Sequence, residues 1–481
     1  MDLYKHMKIM LIWDSSQTEV GKLIQELEQN NHELVYWLGG ESEKHYCPNN
    51  AVFHNCKEAI LNKPADGFTV EQFPTPSKEL IQKLHHAEAI ILTMMNGKFG
   101  GLATDLRKHF YYNSIRYWQG ILNLLKPEAI IFVTVPHTPF DYLIYELAKI
   151  LNIKTILLEG TWISDRAYVY DDFREPIKKI IEVKKLNQGK NFEVSDLSSD
   201  LQNYFFKQTD PAKDSTPLYM PIQFKQYLGK SLWLRRYKHL KASLKSGALI
   251  KNALAWLNKK IGPNLKKDYE ALQVEPDLTK PFVYAALHLQ PEMTTSPQGD
   301  IYVDQILLLE TLSHALPKNW VIYVKEHPIQ WLFRGLSYFD YRYKGYYQRI
   351  ADLKNVYLVP VNYSSIKLVS HAQAVATATG TVAWEAVLRG KPGMVFGYPW
   401  YRHCDGVFTI TSSEDCQEVY NKIINGYTVP KQEVINFLYY FDKATIHGYI
   451  NMDIEKNTTL TPAQSAANIR AALLKELTNQ N

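Results

Sequence analysis

The sequence predicts an α/β protein made of two Rossmann-like, doubly wound parallel-sheet halves facing a cleft, with a basic helical insertion between them. Three observations carry this. Short apolar runs alternate with amphipathic stretches in residues 1–175 and again in 276–440, the pattern of a parallel sheet covered by helices. Some runs are continuously apolar, such as Ala129–Val135, as strands buried on both faces require. The 481 residues also exceed one ordinary domain.

In the first half, Lys8–Trp13, Ala89–Thr93, Ala129–Val135 and Lys154–Leu158 read as strands. Val20–Gln29 and Phe140–Leu151 read as helices, the second opened by Thr138 as cap and Pro139 as its first residue. Tyr170-Asp171-Asp172 reads as a loop. Residues 176–275 are basic, helical in places and poor in strand signals. In the second half the expected strands are Phe282–His288, Trp320–Lys325, Val356–Val359, Ala372–Thr377 and Gly393–Phe396. Between them fall helices Val303–Ala315, Ser364–His371 and Val382–Arg389. A last segment, 441–481, contains the helix Pro462–Leu477, expected to pack back on the first half.

A composition of 46% hydrophobic and 21% charged residues suits a soluble globular chain with sizeable cores. Cys47, Cys56, Cys404 and Cys416 form no CxxC pair, and no His cluster has zinc spacing, so the thiols are expected reduced and no metal is expected. The apolar start Met7–Trp13 is too short for a signal core or a membrane span, which leads to a cytoplasmic expectation. The net charge of +5 is uneven: residues 215–267 hold twelve Lys/Arg and no Asp or Glu, so the rest is net acidic.

Open parallel sheets bind ligands outside the carboxyl ends of their strands, so the residues just after each strand carry the chemistry. Lys325-Glu326-His327-Pro328 follows one strand. Its ammonium and imidazole suit a phosphate and a leaving oxygen, and Pro328 stiffens the turn; a plain surface turn is the competing reading. Thr377 to Glu385 (TATGTVAWE) follows another strand and opens a helix. Thr379, Gly380 and Thr381 suit an anion at a helix start, and Glu385 is placed for ribose hydroxyls; a capped helix with an ordinary acid explains the same residues. Glu159-Gly160 ends a strand of the first half, where its carboxylate serves either as a base for an acceptor hydroxyl or as a solvated loop acid. His288-Leu289-Gln290 ends the first strand of the second half, with Gln290 a donor-binding candidate and His288 a ligand or a structural histidine. There is no DxD, no GxGxxG after a strand and no GxxxxGK[ST], which disfavours metal-dependent sugar-nucleotide, NAD and P-loop readings.

Taken in order, Leu158-Glu159-Gly160, Leu289-Gln290, His327-Pro328 and the hydroxyl-rich helix start resemble the bacterial capsule polysaccharide biosynthesis family. That family includes Kdo transferases and is related in design to bacterial sialyltransferases that use CMP-sugars. The resemblance spans roughly 125–175 and 280–410 and omits the basic middle. It implies a GT-B-like glycosyltransferase that moves an acidic 2-keto-3-deoxy sugar from a CMP-sugar to a capsule or lipopolysaccharide acceptor, lipid-linked or oligosaccharide. Kdo and nonulosonic acids such as pseudaminic or legionaminic acid all fit, and stereochemistry stays open. It also implies Glu159 as base and His327-Pro328 on the CMP phosphate. Ser364-Ser365 and Thr379–Thr381 are both candidates for the hydroxyl motif that holds the nucleotide. No cofactor beyond the donor and no metal is implied. The chain departs from the family's acidic-acidic-Gly motif at Leu158, leaving a single carboxylate.

In residues 225–267, Leu228, Leu232, Trp233, Tyr237, Leu240 and Leu244 recur at helical spacing among Arg235, Arg236, Lys238, Lys241 and Lys245. This pattern suits an anionic membrane surface at the inner face of the cytoplasmic membrane, or a helix pair with a solvated basic face; no nucleic-acid motif accompanies the charge. Three rivals remain. A teichoic-acid type CDP-polyol phosphotransferase would carry an Asp soon after its serines, where Val369 and Ser370 stand here. A sugar-nucleotide epimerase would show paired acids around its ribose-binding helix. A non-catalytic capsule assembly protein would bind no nucleotide.

Overall fold

The structure is a computed structural model. It describes residues 6–14, 19–161, 163, 165–210, 264–331, 341–450, 458 and 460–478, with isolated helical positions between 233 and 257. The chain forms two compact units, one of residues 1–190, 197–201 and 438–481, the other of 191–196 and 202–437. The stretch 176–275 contributes to both: the helix Lys178–Leu186 lies in the first unit and Leu265–Leu272 in the second.

The strands of the first unit are β1 (Lys8–Ile12), β2 (Glu33–Gly39), β3 (Val52–Asn55), β4 (Ala129–Phe132), β5 (Lys154–Gly160) and β6 (Arg166–Tyr170). Those of the second are β7 (Phe282–Ala286), β8 (Val321–Lys325), β9 (Val356–Leu358), β10 (Ala374–Thr377), β11 (Gly393–Val395) and β12 (Val407–Thr409); β13 (Ile446–His447) returns to the first. The first sheet has the order β13-β6-β5-β4-β1-β2-β3, parallel except where β6 pairs antiparallel with β5 and β13. The second has the order β12-β11-β10-β7-β8-β9, with every neighbouring pair parallel. Each is a doubly wound sheet whose order reverses beside its first strand, β1 with β4 and β7 with β10. The α/β class with two Rossmann-like sheets therefore holds.

Side chains alternate along the strands as the pleat demands. In β7, Val283 and Ala285 join a core with Ile306, Leu309 and Leu312 of the helix Gln305–His314. Phe282 and Tyr284 face the opposite core with Leu368, Val369 and Ala386. In the first unit, Ile9 and Leu11 of β1 meet Leu23, Ile24 and Leu27 of the helix Val20–Gln29. Ile469, Leu473 and Leu477 of the C-terminal helix Pro462–Thr478 complete this core. That helix starts where Thr461 and Gln464 exchange side-chain and backbone hydrogen bonds, with Pro462 at the first position.

Two local expectations are corrected. Ala89–Thr93 is not a strand but part of the helix His85–Met94, which buries Ala87, Ile90 and Ile91. Periodicity cannot separate a short apolar run in a buried helix from a strand. Tyr170 is not in a loop; it ends β6, whose hairpin with β5 pairs Leu157 with Tyr170. Among the described residues, no helix is long and apolar enough to cross a membrane.

Candidate functional site

The reversal of strand order between β7 and β10 places the expected ligand crevice of the second unit outside their carboxyl ends. β8 is the other neighbour of β7, so the loops after β7, β8 and β10 lie side by side. These are the loops of His288–Gln290, Glu326–Gln330 and Ala378–Gly380.

His288 joins two of them. Its Nε2 accepts the Thr379 N–H at 3.1 Å and lies 2.7 Å from Thr377 Oγ1. A ring nitrogen that accepts an amide proton carries none, and burial pushes His288 down to about 3, helped by the charges of His327 and Arg342. His288 is thus a neutral structural histidine. Gln290 is equally engaged: its Nε2 donates to Val303 O at 3.0 Å, and its Oε1 accepts from Arg342. Its backbone and the side chain of Gln330 exchange two further bonds.

The turn after β8 is closed by the Gln330 N–H on His327 O at 2.9 Å, with Pro328 at the second position as a β-turn prefers. His327 Nδ1 accepts the Ile329 N–H at 3.3 Å. The proton of the neutral ring therefore sits on Nε2. Burial, then the charges of Arg342 and Lys325, hold this imidazole down at about 4. At neutral pH His327 is a hydrogen-bond donor rather than a cation. Lys325, buried at the end of β8, donates to Tyr363 O at 2.6 Å and Ser365 Oγ at 2.7 Å. Burial lowers it to about 8. Ser364 caps the helix Ser365–His371 by accepting the Lys367 N–H at 3.3 Å. Lys325, Ser364 and Ser365 therefore lock this helix start to β8, and one ammonium proton remains beyond the two hydrogen bonds shown.

After β10, the helix Thr381–Leu388 begins with Gly380 at its N-cap and no side-chain cap. Its first amides and dipole favour an anion. Thr379 Oγ1 is already committed to Thr294 O at 2.6 Å. A side chain at Gly380 would come within 2.8 Å of Thr377 Oγ1 and 3.1 Å of the His288 ring, so glycine keeps this approach open. Half-buried Glu385 is raised to about 7, by burial against the opposing pull of Arg389 and the Thr381 side chain.

In the first unit, Glu159 is buried on β5, and its carboxylate accepts the Tyr170 O–H across the hairpin. It is a strand residue paired with Tyr168 and not a solvated loop acid. Nearby, Asp165, Asp200 and His447 bring one ligand atom each within 4.8 Å of one another. The fully buried Arg166 occupies Asp200 through two hydrogen bonds, at 2.8 and 3.0 Å.

Residues 280–448, which hold every strand-end loop of the second unit, match the family described as capsule polysaccharide biosynthesis protein. Over this segment the chain is similar to that family. Among solved structures, it is similar to a beta Kdo 2,7 transferase, KpsC of Thermosulfurimonas dismutans, at 12% identity and TM-score 0.30, covering 75% of this chain and 89% of that one. A beta Kdo 2,4 transferase, also KpsC of that organism, gives 12% identity and TM-score 0.31 over 73% and 88%. The UDP-GlcNAc 2-epimerase of Neisseria meningitidis gives 12% and 0.25 over 98% and 100%. No curated protein matches.

The family segment thus gathers Gln290, Lys325, His327, Pro328, Ser364, Ser365, Thr379, Gly380, Thr381 and Glu385 in one unit. Sequence reasoning missed Arg342, which is fully buried and joins the loops after β7 and β8. It lies sixteen residues beyond Glu326, and no local pattern points to it. Of the basic middle, Trp233, Tyr237, Leu240, Lys241, Leu244 and Leu257 are helical and exposed. Leu228, Leu232, Arg235, Arg236, Lys238 and Lys245 lie outside the described residues, as do Trp162 and Ser164 beside the Glu159 motif.

Proposed function

We propose that the protein is a glycosyltransferase of surface-polysaccharide synthesis that transfers an acidic 2-keto-3-deoxy sugar, Kdo or a nonulosonic acid, from a CMP-sugar to a capsule or lipopolysaccharide acceptor. The observation that carries this is His327: a neutral imidazole, its Nε2–H fixed as donor by the Ile329 amide, at a strand end within the capsule-family segment. In transfer, the bond between the anomeric carbon and the CMP phosphate oxygen breaks, and its electron pair leaves with CMP. The His327 Nε2–H and the free amides of the helix Thr381–Leu388 meet the developing phosphate charge. The Lys325 ammonium adds its field from the end of β8. Thr381 and Glu385 lie next to the same helix start and take the ribose. The acceptor oxygen bonds to the anomeric carbon, and its proton goes to the Glu159 carboxylate, which Tyr170 orients.

A His327 pKa of about 4 fits this role better than proton donation, since the ring would be almost wholly neutral at pH 7. The donor phosphate leaves as a stable monoester and needs charge stabilisation more than protonation. Lipid-linked acceptors lie at a membrane, and the exposed face of Trp233, Tyr237, Leu240 and Leu244 amid basic residues suits an anionic surface there. The test is release of CMP from CMP-Kdo and from a CMP-nonulosonate with an acidic-glycan acceptor present. The proposal expects release that depends on acceptor and falls about a hundredfold or more in His327→Ala and in Glu159→Gln. Release of CMP from a CDP-polyol, or of UDP from a UDP-sugar, with none from CMP-sugars, would overturn it.

A further inference from the structure

We propose that Arg342 is a positioning residue of the donor site: a buried guanidinium that clamps the loop after β7 to the turn after β8 and so sets the direction of the His327 Nε2–H. This rests on the reading of His327 as the phosphate contact. Arg342 and Glu326 are both fully buried and form an ion pair at 2.8 Å. Nε donates to Glu326 Oε2 at 2.8 Å, and Nη2 to Oε1 at 3.2 Å. The same Nη2 donates to His288 O at 2.9 Å, and Nη1 donates to Gln290 Oε1. The guanidinium also lies over the Tyr346 ring, 4.7 Å from its centroid. On the other side of the pair, Glu326 Oε1 accepts the His327 backbone N–H at 2.7 Å, and Oε2 accepts the Tyr347 O–H at 2.7 Å. One planar group thus fixes the carboxylate that holds the His327 backbone and, at the same time, two acceptors on the neighbouring loop.

Stability does not account for such a pair. Taking two charges out of water costs about what their attraction returns, and well-packed apolar replacements are commonly neutral or better. What a fork of directed donors supplies is geometry, and a lysine, with a single point of charge, cannot reproduce it. The Arg342 charge also adds to the burial that keeps His327 neutral. Both effects favour a ring that donates from Nε2 in one orientation.

The experiment compares the wild-type protein with Glu326→Met/Arg342→Met, Arg342→Lys, His327→Ala and the triple combination. Thermal unfolding and calorimetric titration with CMP are the two readouts. The double variant, which also strips His288 O, Gln290 Oε1, the Tyr347 O–H and the His327 N–H of these partners, should unfold below the wild-type midpoint but stay folded at the titration temperature, and bind CMP about tenfold to a hundredfold more weakly, the size expected for a misplaced contact. Adding His327→Ala to it should cost little more, because the clamp acts through that ring. Should the double variant fail to fold, Arg342→Lys carries the same two expectations. Wild-type affinity in a folded clamp variant, or losses that add fully to that of His327→Ala, would overturn the proposal while leaving the donor site in place. A folded wild-type protein that binds no CMP would overturn both.

Discussion

At the scale of residues, the second unit shows how a few buried polar groups are used twice. Lys325 ends β8 and, through Tyr363 and Ser365, fixes where the next helix begins. It is also a buried cation with its pKa lowered to about 8 by burial. Below pH 8 Lys325 is protonated and its charge favours an anion. As pH rises through 8 that charge is lost, while His327, at about 4, stays neutral throughout. CMP affinity measured by calorimetry should therefore weaken by about threefold to tenfold between pH 7.5 and 9.5, a range in which Glu385, at about 7, is already mostly ionised. Lys325→Gln should flatten the profile. An equal slope in that variant would separate Lys325 from the anion. The sequence pointed to Lys325 and His327 because they follow a strand. It did not show that Gln290, Ser365 and Thr379 spend their polar atoms on distant segments, since those partners lie 13 to 85 residues away.

At the scale of elements, β1, β4, β5, β7, β8, β10 and β11 were legible because buried strands leave apolar runs, as in β4 and β8, whereas the inner strands β2 and β6 were not read as strands. The short edge strands β3, β12 and β13 carry weaker patterns, and the apolar helix His85–Met94 carries a misleading one. The helix expected over Pro462–Leu477 is present as Pro462–Thr478. Its Leu473 is fully buried against the first-unit core. Leu473→Ala should destabilise that unit by roughly 2–5 kcal/mol, the cost of a buried leucine plus its cavity, read from chemical unfolding. A change under about 0.5 kcal/mol would mean that the helix does not pack as described. Trp233, Tyr237, Leu240 and Leu244, spaced by four, three and four residues, lie on one helical face and are exposed. With the surrounding lysines and arginines, they should bind vesicles containing anionic phosphatidylglycerol and release them at high salt. The Leu240→Ser/Leu244→Ser variant should bind more weakly, and equal binding to neutral and anionic vesicles would contradict the role of the charge.

At the scale of the whole molecule, the proposed roles divide between two doubly wound sheets as the chain does. The second unit carries residues 280–437 of the capsule-family segment and the strand-end loops joined by His288 and Arg342. The first carries Glu159, held by Tyr170. The sequence predicted this two-sheet plan from alternation and length alone, since parallel sheets impose their pattern locally. The clamp was not legible, because Arg342 joins two strand ends that only the fold brings together. The central claim is that the second unit binds CMP through His327. The most direct test is calorimetric titration of the folded protein with CMP, CDP, UMP, UDP and GDP, repeated on His327→Ala. The protein should prefer CMP, and His327→Ala should abolish that preference. Tighter binding of CDP or UDP, or CMP binding unchanged in the variant, would contradict it.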